Sequence, residues 1–313
     1  MTFLVAGESL VDIVVPAGGA DEDRHEAVGG SCLNVAVGLA RLDVPTTLFT
    51  RLGDDEHGHR ILEHLEASGV TVAAGSSVAG VRTSTATATL DDQHAATYDF
   101  ELDWDLPVPE LPDGTRGVHV GSLGTVLEPG RGAVLELVRR AAAAEVFISY
   151  DPNVRPSFLG DPEEAWRDVL GLAASATLVK LSDQDLRLLR PGAEEDEACR
   201  SLLEGARTEL VVLTRGGSGA TAYAEGAVVP VAAPPTDVVD TVGAGDSFTA
   251  AVLAMLTDWD VVGGGEGALR ALDDSRLALL LQGAVTAAAV TCSRRGANPP
   301  TREDLPAAWP AGS

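Results

Sequence analysis

Short apolar runs of β-type residues alternate along the chain with longer stretches whose apolar positions recur at helical spacing. The runs Phe3–Ala6, Thr47–Thr50, Gly117–Val120, Val146–Tyr150, Thr177–Lys180 and Leu210–Thr214 predict buried strands. Leu33–Leu42, His57–Ser68, Arg131–Ala144, Glu163–Ala174, Asp183–Leu189, Asp196–Ala206, Ala244–Leu256 and Ser275–Thr291 predict helices. Strands and helices that alternate in this way build an α/β fold with a mainly parallel sheet covered on both faces. Ligands of such sheets gather at the C-terminal ends of the strands.

Two segments break the pattern. Val11–Val15 follows the first strand with no helix between them, and residues 81–103 alternate strictly, with many threonines and with Asp91-Asp92 between the arms. Period-two alternation of this kind predicts an antiparallel hairpin with one exposed face. Together these segments predict a small β-sheet over the end of the main one, where it would exclude water from a site. An edge extension of the main sheet fits the same pattern. Residues 258–274, with Gly263-Gly264-Gly265, read as a mobile loop, and the tail after Pro306 as peripheral.

At 313 residues the chain can bury a large core, as one α/β domain or two unequal ones. No run approaches 18 apolar residues, so no transmembrane helix is expected. The segment Met1–Glu8 lacks a basic n-region and reads as a first strand instead of a signal peptide. Cys32, Cys199 and Cys292 are odd in number and widely spaced, which sets a reducing cytoplasm as the default. A formal net charge of −25 argues against a nucleic-acid or anionic-membrane surface. Lys180 is the only lysine, and no glycine precedes it, so a Walker A loop is excluded. Any nucleotide phosphate must be held by backbone amides, arginine and metal.

The chemistry concentrates in Asp240-Thr-Val-Gly-Ala-Gly-Asp246-Ser-Phe248. A glycine-rich turn that opens a helix presents unpaired N–H groups and the positive end of the helix dipole, which together form an anion site. Asp246 would repel phosphate as a mere binding group; beside a phosphate in transfer it makes sense as a general base. Read alone, the turn is equally a helix cap with an acid in its first turn. Val28-Gly29-Gly30-Ser31-Cys32-Leu33-Asn34 is a second glycine-rich helix start, fit to approach a polyol or to be a simple N-cap at Ser31. Asp12, just after the first strand, can accept sugar hydroxyls or lie on the surface. Asp151-Pro-Asn-Val-Arg155 follows a buried strand, and Arg155 suits a transferring phosphate or an acidic substrate. Asp185 reads as a water-mediated Mg²⁺ ligand or as a helix-start acid with Ser182 as N-cap. Thr214-Arg-Gly-Gly-Ser-Gly219 reads as a nucleotide seat or a hairpin turn. The cluster His57, His59 and His64 suggests a metal site or a polar helix face.

In this order and spacing the segments resemble the ribokinase-like (PfkB) carbohydrate kinases, over about residues 3 to 305. Asp240–Phe248 looks like that family's C-terminal signature, and Gly29–Asn34 through Gly53–Gly58 like its N-terminal one. The resemblance implies a ribokinase-like three-layer sandwich with a mainly parallel central sheet and a small β-sheet lid. It divides the chain into a catalytic domain (1–10, 28–80 and 105–313) and a β-lid (11–27 and 81–104). It implies phosphorylation of a hydroxymethyl group by ATP with Mg²⁺, and extends to K⁺. By this resemblance Asp246 is the base, Gly243, Ala244, Gly245 and Asp246 form the anion hole, and Arg155 balances phosphate charge. Asp12, Gly29, Gly30, Asn34, Arg82 and Tyr98 hold the sugar. Thr214, Gly216, Gly219 and Asn298 line the ATP site, and Asp185 stands near Mg²⁺. Asp240, Val242, Arg294 and Gly296 match a monovalent-cation loop. Sugar and ATP are the expected partners, with no nucleic acid or membrane, and a homodimer through the lid.

The chain departs from the family where Ser182 and the shorter acid Asp185 replace the frequent Asn and Glu. The segments Gly7–Asp12, Asp151–Arg155 and Thr291–Thr301 look most like fructokinases. A 2-keto-3-deoxygluconate kinase ranks next, then a ribokinase or nucleoside kinase.

Overall fold

Phe3, Leu4, Val5 and Ala6 are all buried, as a strand covered on both faces requires. The computed structural model describes residues 2–16, 24–90, 96–307 and 309. In chain order the elements begin with β1 (Thr2–Ala6), β2 (Leu10–Val15), β3 (His25–Gly29), α1 (Ser31–Arg41), β4 (Thr46–Phe49), β5 (Leu52–Gly53), α2 (Glu56–Ala67), β6 (Thr71–Val72), β7 (Ser77–Val78), β8 (Thr85–Leu90) and β9 (Ala96–Glu101). They continue with β10 (Thr115–Gly121), α3 (Gly130–Ala143), β11 (Phe147–Asp151), α4 (Pro162–Ala173), β12 (Leu178–Ser182), α5 (Asp183–Leu189), α6 (Glu195–Leu203), β13 (Leu210–Thr214), β14 (Ala220–Ala224), β15 (Ala227–Val231), α7 (Ala244–Asp258) and α8 (Asp274–Cys292).

Nine strands form the main sheet in the order β15-β14-β13-β12-β11-β10-β1-β4-β6. Pairing is parallel from β13 to β6, and β14 and β15 add an antiparallel edge. Alternation along each strand splits the core into two layers. Phe3, Val5, Leu48, Phe147, Leu178 and Val212 pack with α1, α2, α7 and α8. Leu4, Ala6, Val118, Ile148, Val179 and Val211 pack with α3, α4, α5 and α6. The expected three-layer α/β sandwich is therefore present. Strand order reverses at β1, whose neighbours are β4 and β10, so the ends of β1 and β10 open the crevice where such folds bind ligands.

The segments that broke the helix–strand alternation form a separate sheet in the order β3-β2-β8-β9. β8 and β9 pair antiparallel, from Thr85 opposite Glu101 to Leu90 opposite Ala96. The expected Asp91-Asp92 turn lies outside the described residues. A two-stranded sheet of β5 and β7 was not anticipated.

Two expectations are corrected. Residues 258–274 are tied down, because buried Glu209 accepts hydrogen bonds from Gly267 N at 2.6 Å and Leu269 N at 3.0 Å. Beyond Pro306, Trp309 is buried and donates its indole N–H to the Gly283 carbonyl at 2.9 Å, so the tail is not peripheral there. Glu209→Ala should leave both amides without acceptors and cost roughly 1–3 kcal/mol. Urea denaturation reads this directly, and a loss within error of zero would show that the loop does not depend on Glu209. α8 is long and apolar enough to cross a membrane by length and composition. Here it packs against α7 with Leu277, Leu280, Leu281, Ala284 and Ala287 in the core.

Candidate active site

The two glycine-rich helix starts face each other. α7 begins after Gly243, whose φ of 74° is left-handed. A Cβ on Gly243 would stand 2.7 Å from Ala297 Cβ, so only glycine fits. Ala244 N bonds to the Thr241 carbonyl at 3.3 Å and Ser247 N to the Gly243 carbonyl at 2.8 Å. The amides of Gly245 and Asp246 have no intrahelical acceptor. α1 starts after Gly30, φ 112°, where a Cβ would meet the Glu8 carbonyl at 2.5 Å.

Asp246 sits where the helix starts converge, and it is buried. Its Oδ1 accepts from Ser31 Oγ at 2.7 Å and its Oδ2 from Asn34 Nδ2 at 2.8 Å. Both donors are neutral and come from the first turn of α1. They orient the carboxylate without cancelling its charge and leave lone pairs for an incoming hydroxyl. Ser31 does not cap its own helix: the N-cap is Gly30, and no side chain caps there. The Ser31 hydroxyl is committed to Asp246 instead. Asn34, expected at the sugar, orients Asp246 through its amide nitrogen and keeps its carbonyl oxygen available.

Glu8, which the sequence reading gave no role in the site, bridges the crevice. Its Oε1 accepts from Ser31 N at 3.0 Å and its Oε2 from Gly124 N at 3.1 Å, tying the segments after β1 and β10 to α1. Burial pushes the Glu8 carboxyl up to about 6, against the lowering effect of the amides and Arg155. A raised folded-state pKa means that Glu8's contribution is complete below its ordinary 4.5 and is lost as pH rises through about 6. At about 1.4 kcal/mol per unit the loss is about 2 kcal/mol. The stability of Glu8→Gln relative to wild type should therefore improve by that amount between about pH 4.5 and 7. Denaturation across that range measures it, and a constant difference would refute it.

Asp12, expected at the sugar, lies over Gly29, where a Cβ would stand 2.1 Å from Asp12 Oδ2. Burial raises the Asp12 pKa, and the charge of Arg155 opposes the rise. Arg155 is exposed and makes no ion pair among the described residues. Asn153, φ 38°, donates from Nδ2 to Ser31 Oγ at 2.7 Å. Its positive φ was not legible in the sequence. Arg82 is displaced from expectation: its side chain is 84% exposed and lies 3.6 Å from Glu101. Tyr98 lies in β9, and its side chain is outside the described residues.

The residues expected at the nucleotide lie in separate segments. Thr214 ends β13, and Gly216 (φ 49°) and Gly219 (φ 99°) shape the tight turn that follows. A Cβ on Gly219 would overlap the Val231 carbonyl at 2.0 Å. Asn298 turns its Oδ1 to Arg41 at 2.6 Å, at the far end of α1 from Asp246.

Asp185, expected near Mg²⁺, lies buried in the first turn of α5. It accepts from Ser182 N and Oγ at 2.7 and 2.6 Å and from Val154 N at 2.7 Å. This is a capping box that also pins the segment after β11. Asp240 accepts from Val242 N at 3.1 Å and Gly296 N at 2.8 Å, so it joins the two segments of the expected cation loop. Arg294 of that loop pairs with Asp304 at 3.1 Å. The histidine cluster is a polar helix face: His57 pairs with Glu26 and His59 with Asp54. Among the described residues no group of three His, Cys, Asp or Glu could hold a metal ion.

The arrangement offers a buried carboxylate in the first turn of a glycine-led helix, where unpaired amides can meet an anion. Comparison with known proteins leads in the same direction. A fructokinase from Rhizobium leguminosarum bv. trifolii is 34% identical over 263 residues, covering 81% of this chain and 79% of that protein. The probable fructokinase-4 of Arabidopsis thaliana is 31% identical over 316 residues, covering 96% of this chain and 94% of its own. Among solved structures, a fructokinase double mutant from Vibrio cholerae O395, in fructose-, ADP- and potassium-bound form, superposes with a TM-score of 0.79. At 24% identity, covering 95% of this chain and 93% of that one, it establishes the fold. The model for pfkB family carbohydrate kinases matches residues 4–304, and with these relatives it places the chain in that family.

Proposed function

We propose that the chain transfers the γ-phosphoryl group of ATP to a hydroxymethyl group of fructose, with Asp246 as general base. The observation that carries this reading is Asp246 itself, held by Ser31 and Asn34 beside the free amides of α7's first turn. The sugar oxygen attacks the γ-phosphorus and forms the new P–O bond. Its proton passes to the Asp246 carboxylate. The bond from the γ-phosphorus to the bridging oxygen breaks, and ADP leaves with that electron pair. The amides of Gly245 and Asp246 and the Arg155 guanidinium face the charge that develops on the phosphoryl oxygens, so most of the catalysis is positioning and electrostatics.

Magnesium fits as an ion carried on the nucleotide's phosphates with much of its water, since the protein supplies no acidic cage among the described residues. When bound it neutralises phosphate charge. Asp12, Gly29, Gly30 and Asn34 would bind the sugar, and Thr214, Gly216, Gly219 and Asn298 the nucleotide. The loop joined by Asp240 and Gly296 would take K⁺ through backbone carbonyls. A small sheet acting as a lid, and a homodimer through it, belong to the same proposal, and light scattering tests the dimer. The fructokinase names of the two relatives support the sugar, and the Vibrio cholerae protein's bound fructose, ADP and potassium support the ligand set.

A sugar acid such as 2-keto-3-deoxygluconate is the second reading, because Arg155 is exposed and, among the described residues, without an ion pair. A coupled assay of fructose, 2-keto-3-deoxygluconate, ribose and adenosine with MgATP decides. Fructose should give the highest kcat/KM, and a higher value for any other acceptor would overturn the assignment.

A further inference from the structure

Lys180 has no part in the step above, yet it is the chain's only lysine, and it is 5% exposed. It lies on the α7-facing side of β12 with Leu178. Its Nζ donates to Asp151 Oδ2 at 2.9 Å. The same ammonium fills the space behind α7's first turn, because a Cβ on Gly245 would stand 3.2 Å from it.

The partner of Lys180 leads back to the base. Asp151 is 1% exposed, and its second oxygen accepts from Asn153 N at 3.1 Å. Asn153 Nδ2 donates to Ser31 Oγ, which donates to Asp246 Oδ1, each at 2.7 Å. The bonds therefore run unbroken from Lys180 through Asp151, Asn153 and Ser31 to Asp246. Asn153 holds its place in this run at a φ of 38°, a conformation that non-glycine residues keep only where their surroundings enforce it.

A buried ion pair is weak evidence for stability, since apolar residues of similar volume often serve as well. This one sits in a polar stripe of an otherwise apolar sheet face, with His119 and Ser149, both fully buried. We infer that Lys180, held by Asp151, is a positioning residue of the transfer centre: it fixes the Gly243–Asp246 turn from behind and, through Asn153 and Ser31, the orientation of Asp246. The inference rests on reading Asp246 as the base. Burial works against the Lys180 ammonium, but the nearby carboxylates of Asp151, Asp185 and Asp246 outweigh it and hold its pKa above the ordinary value. The charge is therefore permanent at neutral pH.

Because Lys180 is the only lysine, growth on ε-¹⁵N-lysine labels one nitrogen in the wild-type protein. Its resonance should report a charged, ion-paired ammonium and should shift when AMP-PNP, Mg²⁺ and fructose are added together; an unmoved resonance overturns the inference. The double variant Lys180→Met/Asp151→Asn removes both charges at once. Its kcat should fall about 10²–10³-fold, the scale of a lost preorganised donor, with both KM values within about threefold of wild type. Lys180→Arg, which keeps the charge, should recover part of kcat. A folded double variant with wild-type kcat overturns the inference, as does one whose only change is a lower Tm. If the double variant does not fold, the wild-type resonance decides alone. Asp246→Asn is assayed beside them. Turnover in that variant would sink the underlying reading, whereas its loss alongside normal Lys180 variants would sink only this inference.

Discussion

Asp246→Asn should lower kcat by about 10²–10⁴-fold, the usual contribution of a general base, and should leave ATP binding intact. The substitution preserves shape, so the effect isolates chemistry. The carboxamide that replaces the carboxylate can still accept from Ser31 Oγ through its oxygen. Its NH₂ group would then face Asn34 Nδ2, donor against donor, in place of the present 2.8 Å bond. A flip of the Asn34 amide, which turns its carbonyl oxygen toward position 246, restores the pairing at little cost. Fold and anion hole then survive, and the proton acceptor does not. Coupled-assay kcat and calorimetric titration with ATP measure the two halves separately. Near-normal kcat in the folded variant would refute the base, and lost ATP binding would mean that the substitution disturbed the α7 turn.

The layers of the fold were legible because β1, β10, β11, β12 and β13 are short, mainly apolar runs with few polar interruptions, and such runs have one stable setting, between helices. β14 and β15 were not. Ala220–Ala224 and Ala227–Val231 are short and rich in small residues, with Pro230 in the outer strand, which an edge tolerates. Their signal was the Glu225-Gly226 pair between them, a two-residue hairpin turn with Gly226 at φ 77°. In the site, Asp246, Gly30, Gly243 and Asn34 could be read because glycine-rich helix starts carry a local pattern. Glu8, Ser31 and Asn153 act through partners 23 to 215 residues away, and no local spacing encodes such contacts. Asp185 was ambiguous for the opposite reason. An acid three residues after a serine caps a helix and can equally approach a metal, and its three bonds to protein donors show that it caps. Lys180 entered the sequence reading only as evidence against a P-loop; its place beneath Gly245 depends on β12 running up to α7.

Gly243→Ala should damage both stability and turnover. Alanine at φ 74° costs about 1–2 kcal/mol in the left-handed region. The added Cβ would also lie 2.7 Å from Ala297 Cβ and 2.9 Å from Ala297 Cα. Neither atom can rotate away, so the turn or the 296–298 segment must move, a further 1–3 kcal/mol by the usual scale of overpacking, about 2–5 in all. The same movement displaces the amides of Gly245 and Asp246, and one misplaced donor at developing charge costs about 10²–10³ in kcat. Gly226→Ala separates the two effects. Its φ is 77°, and nothing lies within 4 Å of a Cβ built there, at a hairpin remote from Asp246. It should lose only the conformational cost, about 1–2 kcal/mol, and keep wild-type kcat. Denaturation and steady-state kinetics on the pair test the claim that the Gly243 turn serves geometry and not merely chain reversal. If Gly243→Ala matches Gly226→Ala in both stability and turnover, the amides of that turn do not form the anion hole.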